Sequence, residues 1–170
     1  MKILFDDSAD TPISAWRTVD DVVMGGRSQS QVRWCKDSQG AGFYRFEGIT
    51  SLENNGGFCS TRVDGSWDLS GESHLLWTLR GTKRPFLATL RDGATPQGAS
   101  FRVSFLLEEE EKWNEISIAL EDFRLFRRGQ ALSTEARVDP SSIYSFGFLL
   151  ADRREGPFHL DIRFLKALQV

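Results

Sequence analysis

The sequence has few of the residues from which metal and redox sites are built. Of 170 residues, two are cysteines and two are histidines. Cys35 and Cys59 form no CxxC pair, and His74 and His159 complete no familiar zinc-ligand spacing. Two reduced, buried thiols are expected, with one disulfide left open should the strands carrying them be neighbours. Long apolar runs are missing, so nothing approaches the ~20 residues needed to span a bilayer. The opening MKILFDDSAD is too short in apolar residues for a secretory signal, and it is acidic where a transit peptide is basic. A cytoplasmic chain is expected. A basic excess is absent as well, since 21 Lys and Arg stand against 24 Asp and Glu. Arg127-Arg128 and Arg153-Arg154 are isolated pairs, better suited to turn-flanking surface charge than to a nucleic-acid footprint, and no nucleic-acid partner is expected.

Familiar catalytic and phosphate-binding signatures are also lacking. GGRSQS (25–30) does not follow the GxxxxGK[ST] order, and no helix follows to offer its N-terminus to a phosphate. Its glycines are adjacent, which excludes GxGxxG, and no GxSxG elbow occurs anywhere.

What is present is the alternation of β-strands. A chain of this length buries about 70% of its unfolded surface, enough for one domain over 1–170 without disulfide or metal. The aromatics are 13 Phe and 5 Trp against only 2 Tyr, bulky side chains that suit pleated, half-buried surfaces. Phe101, Val103, Phe105 and Leu107 share one face, as do Leu75, Trp77 and Leu79, and Phe86, Ala88 and Leu90. Ile116, Ile118 and Leu120 follow the same rule, and so do Phe158, Leu160, Ile162 and Phe164. Asp64-Gly65, Asp92-Gly93 and Gly156-Pro157 read as turns, and Glu108–Lys112 as a charged tip. Asp139-Pro140 reads as the cap and first residue of a single helical turn. No helical stripe of ten residues is found. About ten short strands spaced by 8–12 residues predict an all-β sandwich or barrel. Strands over 73–80, 85–91, 100–107 and 113–120 are expected to form an antiparallel meander. The strand over 157–167 is expected to pair centrally, beside Ile3–Phe5.

Two glycine pairs punctuate this pattern, in VDDVVMGGRSQS (19–30) and LENNGGFCSTR (52–62). Glycines before a strand supply positive φ or a bulge. Asp20 and Asp21 diverge if extended, so they make no acid/base pair by themselves. One of them is expected to cap the turn, leaving the other for a ligand or partner. Asn54, Asn55, Gly56 and Gly57 all tolerate left-handed backbone and read as a tight, exposed turn, with amides suited to polyol or amide recognition.

Two long motifs carry a resemblance. W-x3-D-D-V-V-M-G-G-x-S runs from Trp16 to Ser28, and F-x-G-x3-L-E-N-N-G-G-F-x-S-x-R from Phe46 to Arg62. With GFLLAD (147–152) and GPFHLDI (156–162), they resemble the complex I intermediate-associated protein 30 family over essentially the whole chain. Cys59 stands where a small residue such as Ala is expected. The resemblance implies a galactose-binding-domain-like jelly-roll sandwich, and a stand-alone bacterial member of a family that assists assembly of the respiratory NADH:ubiquinone oxidoreductase.

Three functional readings follow. The first is a non-enzymatic binding or assembly module with a protein partner, which could include respiratory-complex subunits. Its candidate surface is Trp16, Asp20, Asp21, Gly25, Gly26, Ser28, Asn54, Asn55, Gly57 and Arg62, which requires the two glycine loops to lie side by side. Trp16 serves equally as an aromatic platform or a core residue. The second is a carbohydrate-binding module, for which exposed tryptophans should gather on one face. The third, supported by no motif, is a hydrolase built on Asp20, Asp21 and Glu53. No cofactor is expected, although a structural calcium on Asp6, Asp7 and Asp161 is considered against surface charge.

Overall fold

A computed structural model describes residues 1–6 and 15–170. Two antiparallel sheets pack face to face. The six-stranded sheet runs in the order β3 (Gln29–Lys36), β4 (Gly42–Thr50), β13 (Gly156–Leu168), β6 (His74–Gly81) and β9 (Asn114–Ala119), with β1 (Lys2–Phe5) also paired to β13. The seven-stranded sheet runs β11 (Gln130–Ser133), β10 (Arg124–Arg127), β8 (Ala99–Phe105), β7 (Phe86–Asp92), β12 (Ile143–Leu150), β5 (Cys59–Trp67) and β2 (Trp16–Asp20). This is the all-β sandwich that the alternation predicts, in the jelly-roll, galactose-binding-like form that the family resemblance implies.

Alternation also explains the core. Leu75, Trp77 and Leu79 of one sheet meet Phe86, Ala88, Leu90, Phe146 and Phe148 of the other, all fully or nearly fully buried. Edge-to-face pairs such as Trp77–Phe148, with ring centroids 4.6 Å apart, lock the layers together. As anticipated, β13 is central and pairs with β1, through Lys2 opposite Ala167.

The meander expected over 73–120 is not formed. β6 pairs with β9 in one sheet and β7 with β8 in the other, so the chain crosses the sandwich between β6 and β7 and returns between β8 and β9. Period-2 patterning fixes which face of a strand is buried but not which sheet the strand joins. The crossing near Pro85 is held by Arg84, buried, whose guanidinium donates to both oxygens of Asp152 at 2.8 and 2.6 Å. Asp64-Gly65 is also not a turn. It lies within β5, where the register against β12 slips opposite Tyr144. The single turn at Pro140–Ser142 is present, and Asp139 accepts from the Ser141 amide at 3.0 Å.

Cys35 lies on β3 and Cys59 on β5, in different sheets, and both are free thiols. Burial, then the neighbouring Asp20 carboxylate, push the Cys59 thiol far above its ordinary range. No helix among the described residues is long and apolar enough to cross a membrane.

Candidate functional site

The two glycine loops are joined by one buried carboxylate. β2 ends at Asp20, and Asp21–Met24 make a single 3-10 turn that Gly25 closes with φ of 86°. The turn directs the Asp21 side chain inward, under the second loop. Its Oδ1 accepts from the Ser28 amide at 2.8 Å, and its Oδ2 accepts from the Ser28 hydroxyl, the Gly57 amide and the Phe58 amide. The Asp21 amide in turn donates to the Phe58 carbonyl. Burial alone would raise the Asp21 pKa. The hydrogen bonds from Gly57, Ser28 and Phe58 outweigh it and hold the carboxyl below its usual range.

The glycines follow from this contact. A Cβ on Gly26 or on Gly56 would run into the Asp21 carboxylate, so each loop comes this close only where a side chain is missing. The Ser28 hydroxyl also contacts the second loop, accepting from the Ser51 amide at 2.8 Å. An exposed ion pair between Arg27 and Glu53 spans the loops at 3.2 Å. The side-by-side arrangement anticipated for the loops is therefore present, and its centre is Asp21.

The sequence candidates divide into three groups. Asp21, Gly26, Ser28 and Gly57 are buried and bind the loops to each other. Asp20, expected to be free if Asp21 was not, is engaged as well, accepting from the Ser30 amide at 2.9 Å and the Ser30 hydroxyl at 2.6 Å. Gly25, Asn54 and Asn55 are exposed, the two asparagines both with positive φ. Trp16 and Arg62 stand apart from the loops. Trp16 is buried against Phe5 and Tyr44, a core residue and not a platform. Arg62 belongs to the outer face of the seven-stranded sheet, 3.8 Å from Asp64.

What sequence reasoning missed is the apolar rim of the joined loops. Val22 is 60% exposed and Leu52 41% exposed, one on each loop. Both stand inside the quoted motifs as large apolar residues in turn segments, a signal that was there to be read.

The carboxylates proposed for hydrolysis serve elsewhere. A general acid needs a raised pKa, whereas that of Asp21 is lowered, and Glu53 is paired with Arg27. Of the calcium candidates, Asp161 is already engaged. It is fully buried between two guanidinia, Arg45 at 2.6 Å and Arg80 at 2.9 Å, a cationic setting unsuited to a metal ion. Asp7 lies outside the described residues. Among those described, no cluster of three or more His, Cys, Asp or Glu could hold a metal ion.

No tryptophan is fully exposed. Trp16 and Trp77 are buried, and Trp34, Trp67 and Trp113 are half-buried. Arg80 and Arg163 lie over the Trp113 ring, 4.4 and 4.2 Å from its centroid.

The fold is that of the β-sandwich carbohydrate-binding modules. A family 11 module of a Clostridium thermocellum cellulosomal cellulase superposes with a TM-score of 0.71 at 15% identity, covering 99% of this chain and 94% of that one. The family 11 module in complex with a β-1,3-1,4-mixed-linked tetrasaccharide gives 0.68 at 17%, over 99% and 97%. By sequence, the chain belongs to the Complex I intermediate-associated protein 30 family, whose model matches residues 3–162. The mitochondrial Complex I intermediate-associated protein 30 of Mus musculus is 26% identical over 90% of this chain. That match takes in 52% of the mouse protein, so the chain spans about half the length of this relative.

Proposed function

We propose that this chain is a non-enzymatic binding and assembly module that docks a protein partner on its two joined glycine loops. The observation that carries the reading is the Asp21 pin, which makes two loops distant in sequence into one surface rimmed by exposed Val22, Leu52, Asn54 and Asn55. Loops already fixed lose little conformational freedom on binding, which favours affinity. Exposed aliphatic side chains beside unpaired amides suit a protein surface better than a sugar ring. Membership of a family named for association with complex I intermediates supports subunits of the respiratory NADH:ubiquinone oxidoreductase as the partner. A cytoplasmic location accords with this reading.

A second reading rests on the carbohydrate-binding modules that share the fold. A sugar-like ligand would then be held with little help from tryptophan, since no ring is freely exposed. The test is a pull-down of the tagged chain from soluble and membrane fractions of the organism that encodes it. Subunits of the oxidoreductase are expected with the unmodified chain and should fall about tenfold with Leu52→Asp. Equal recovery by both forms, or retention on a glycan array without any subunit, would overturn the assembly reading.

A further inference from the structure

The outer face of the seven-stranded sheet carries a row of arginines that the loop motifs do not explain. Strand register sets Arg17, Arg62, Gly147, Thr89, Arg102 and Arg124 side by side across β2, β5, β12, β7, β8 and β10. Their chain neighbours Val63, Phe148, Ala88, Phe101 and Leu125 are in the core, so this row leaves the sheet on the opposite side. Arg62 and Arg102 are three strands apart, about 14 Å, with only the small Gly147 and Thr89 between them. Arg91 belongs to the adjoining row, opposite Ser145. Burial first, then the nearby charge of Arg62 and Arg102, lower its guanidinium pKa to about 10.

These arginines differ from those of the other sheet. There, Arg33 pairs with Glu47, Arg45 and Arg80 share Asp161, and Arg163 pairs with Asp37. On the seven-stranded sheet one carboxylate, Asp64, serves Arg17 and Arg62 together. Arg91 donates to the Ala99 carbonyl, Arg102 to Ser100 Oγ and the Arg128 carbonyl, and Arg124 to the carbonyls of Glu121 and Phe123. None of these last three has a carboxylate within ion-pair distance among the described residues. One further group on this face, Arg62 Nε, is without a hydrogen-bond partner, its nearest carboxylate Asp64 standing 3.8 Å away. Arg91, Arg102 and Arg124 without a paired carboxylate, next to a single Asp64 shared by Arg17 and Arg62, leave this face with an excess of guanidinium charge that suits an anionic acceptor from outside the chain.

We propose that this face binds a carboxylate-rich peptide segment of a partner protein, laid across the strands so that its acidic side chains meet Arg62 and Arg102. Guanidinium forks match carboxylates through paired hydrogen bonds. An extended peptide advances ~3.3 Å per residue, so carboxylates at positions i and i+4 project to the same side ~13 Å apart, close to the arginine spacing. No tryptophan platform for a neutral sugar opens on this face, since Trp16 is in the core and Trp67 packs on Phe146; of its other rings, Phe126 lies under Arg102 and Tyr144 is 38% exposed. The joined glycine loops take no part, and failure here leaves their proposed role untouched.

Fluorescence anisotropy tests the proposal on the intact chain, using a labelled Gly/Ser decapeptide with glutamates at i and i+4, its glutamine counterpart, and oligogalacturonate as competitor. The glutamate peptide should bind at least tenfold more tightly than the glutamine peptide. Its affinity should fall at least tenfold in the double variant Arg62→Gln/Arg102→Gln and stay unchanged in Arg33→Gln, which removes a paired arginine from the other sheet. Affinity for the unmodified chain should also fall about tenfold between low and high salt, a measurement that does not depend on any variant folding. Equal binding of both peptides, salt-independent binding, or a folded double variant that binds as the original does would each overturn the proposal. Tighter binding of oligogalacturonate than of the peptide would overturn it in favour of an acidic saccharide.

Discussion

A carboxylate sealed from water, as Asp21 is, remains an anion only because donors from both loops reach it. Its folded pKa lies below the ordinary aspartate value of about 3.9. A lowered folded pKa contributes stability that is full above the unfolded value and is lost as pH falls through the folded one. The urea midpoint of the native chain should therefore drop as pH is lowered below about 4, and Asp21→Asn should flatten that part of the profile. At neutral pH, Asp21→Ala should cost about 3 kcal/mol, because it leaves buried amides of both loops without an acceptor. The glycines give a sharper contrast. Gly25→Ala meets no neighbour and suffers only its left-handed backbone, about 1–2 kcal/mol. Gly26→Ala drives a methyl into Asp21 and should cost about 3 kcal/mol or more, read from the same denaturation curves. The expectation that one aspartate caps the turn is not met, since the 3-10 turn has no side-chain cap and Asp21 instead binds Ser28 and the second loop. Nor could the sequence show that the other would also be satisfied, because the Ser30 partner of Asp20 belongs to a strand whose direction is set by tertiary packing.

Individual strands were legible because one face of each is buried, which imposes the period of two on the sequence from Leu75 through Phe158. Pairing was less legible. Nothing in HLLWTLRG or RPFLATLRD distinguishes hairpin partners from strands of opposite sheets, and the crossover between them is secured by Arg84, whose partner Asp152 lies far along the chain. The β4–β13–β6 unit shows the same long-range logic in charge, with Asp161 shared by an arginine from each flanking strand. Removing that carboxylate by Asp161→Ala leaves two guanidinia facing each other. A loss of about 3–5 kcal/mol is expected, measurable by thermal or urea denaturation. The two cysteines, on opposite sheets, should also separate chemically. Cys35 is half-buried and should react with a thiol reagent in the native chain, whereas buried Cys59, its thiol pushed up, should react only on unfolding.

At the scale of the molecule, the sandwich is shared with carbohydrate-binding modules while the sequence belongs to the Complex I intermediate-associated protein 30 family, so the fold alone does not choose the ligand. Choice falls to the surfaces. The joined loops present Val22 and Leu52, and the seven-stranded sheet presents a row of arginines with Asp64 as the one carboxylate paired to it among the described residues. The loop surface was partly legible from the paired motifs, but the arginine row was not. Its members are scattered from Arg17 to Arg124 in the sequence and converge only through register across six strands. The most direct measurement of the loop-docking claim is hydrogen exchange on the chain alone and in complex with the recovered oxidoreductase subunits. Slowed exchange concentrated in residues 20–28 and 51–58 is the predicted result. Unchanged exchange in both loops, with protection elsewhere on the sandwich, would contradict it.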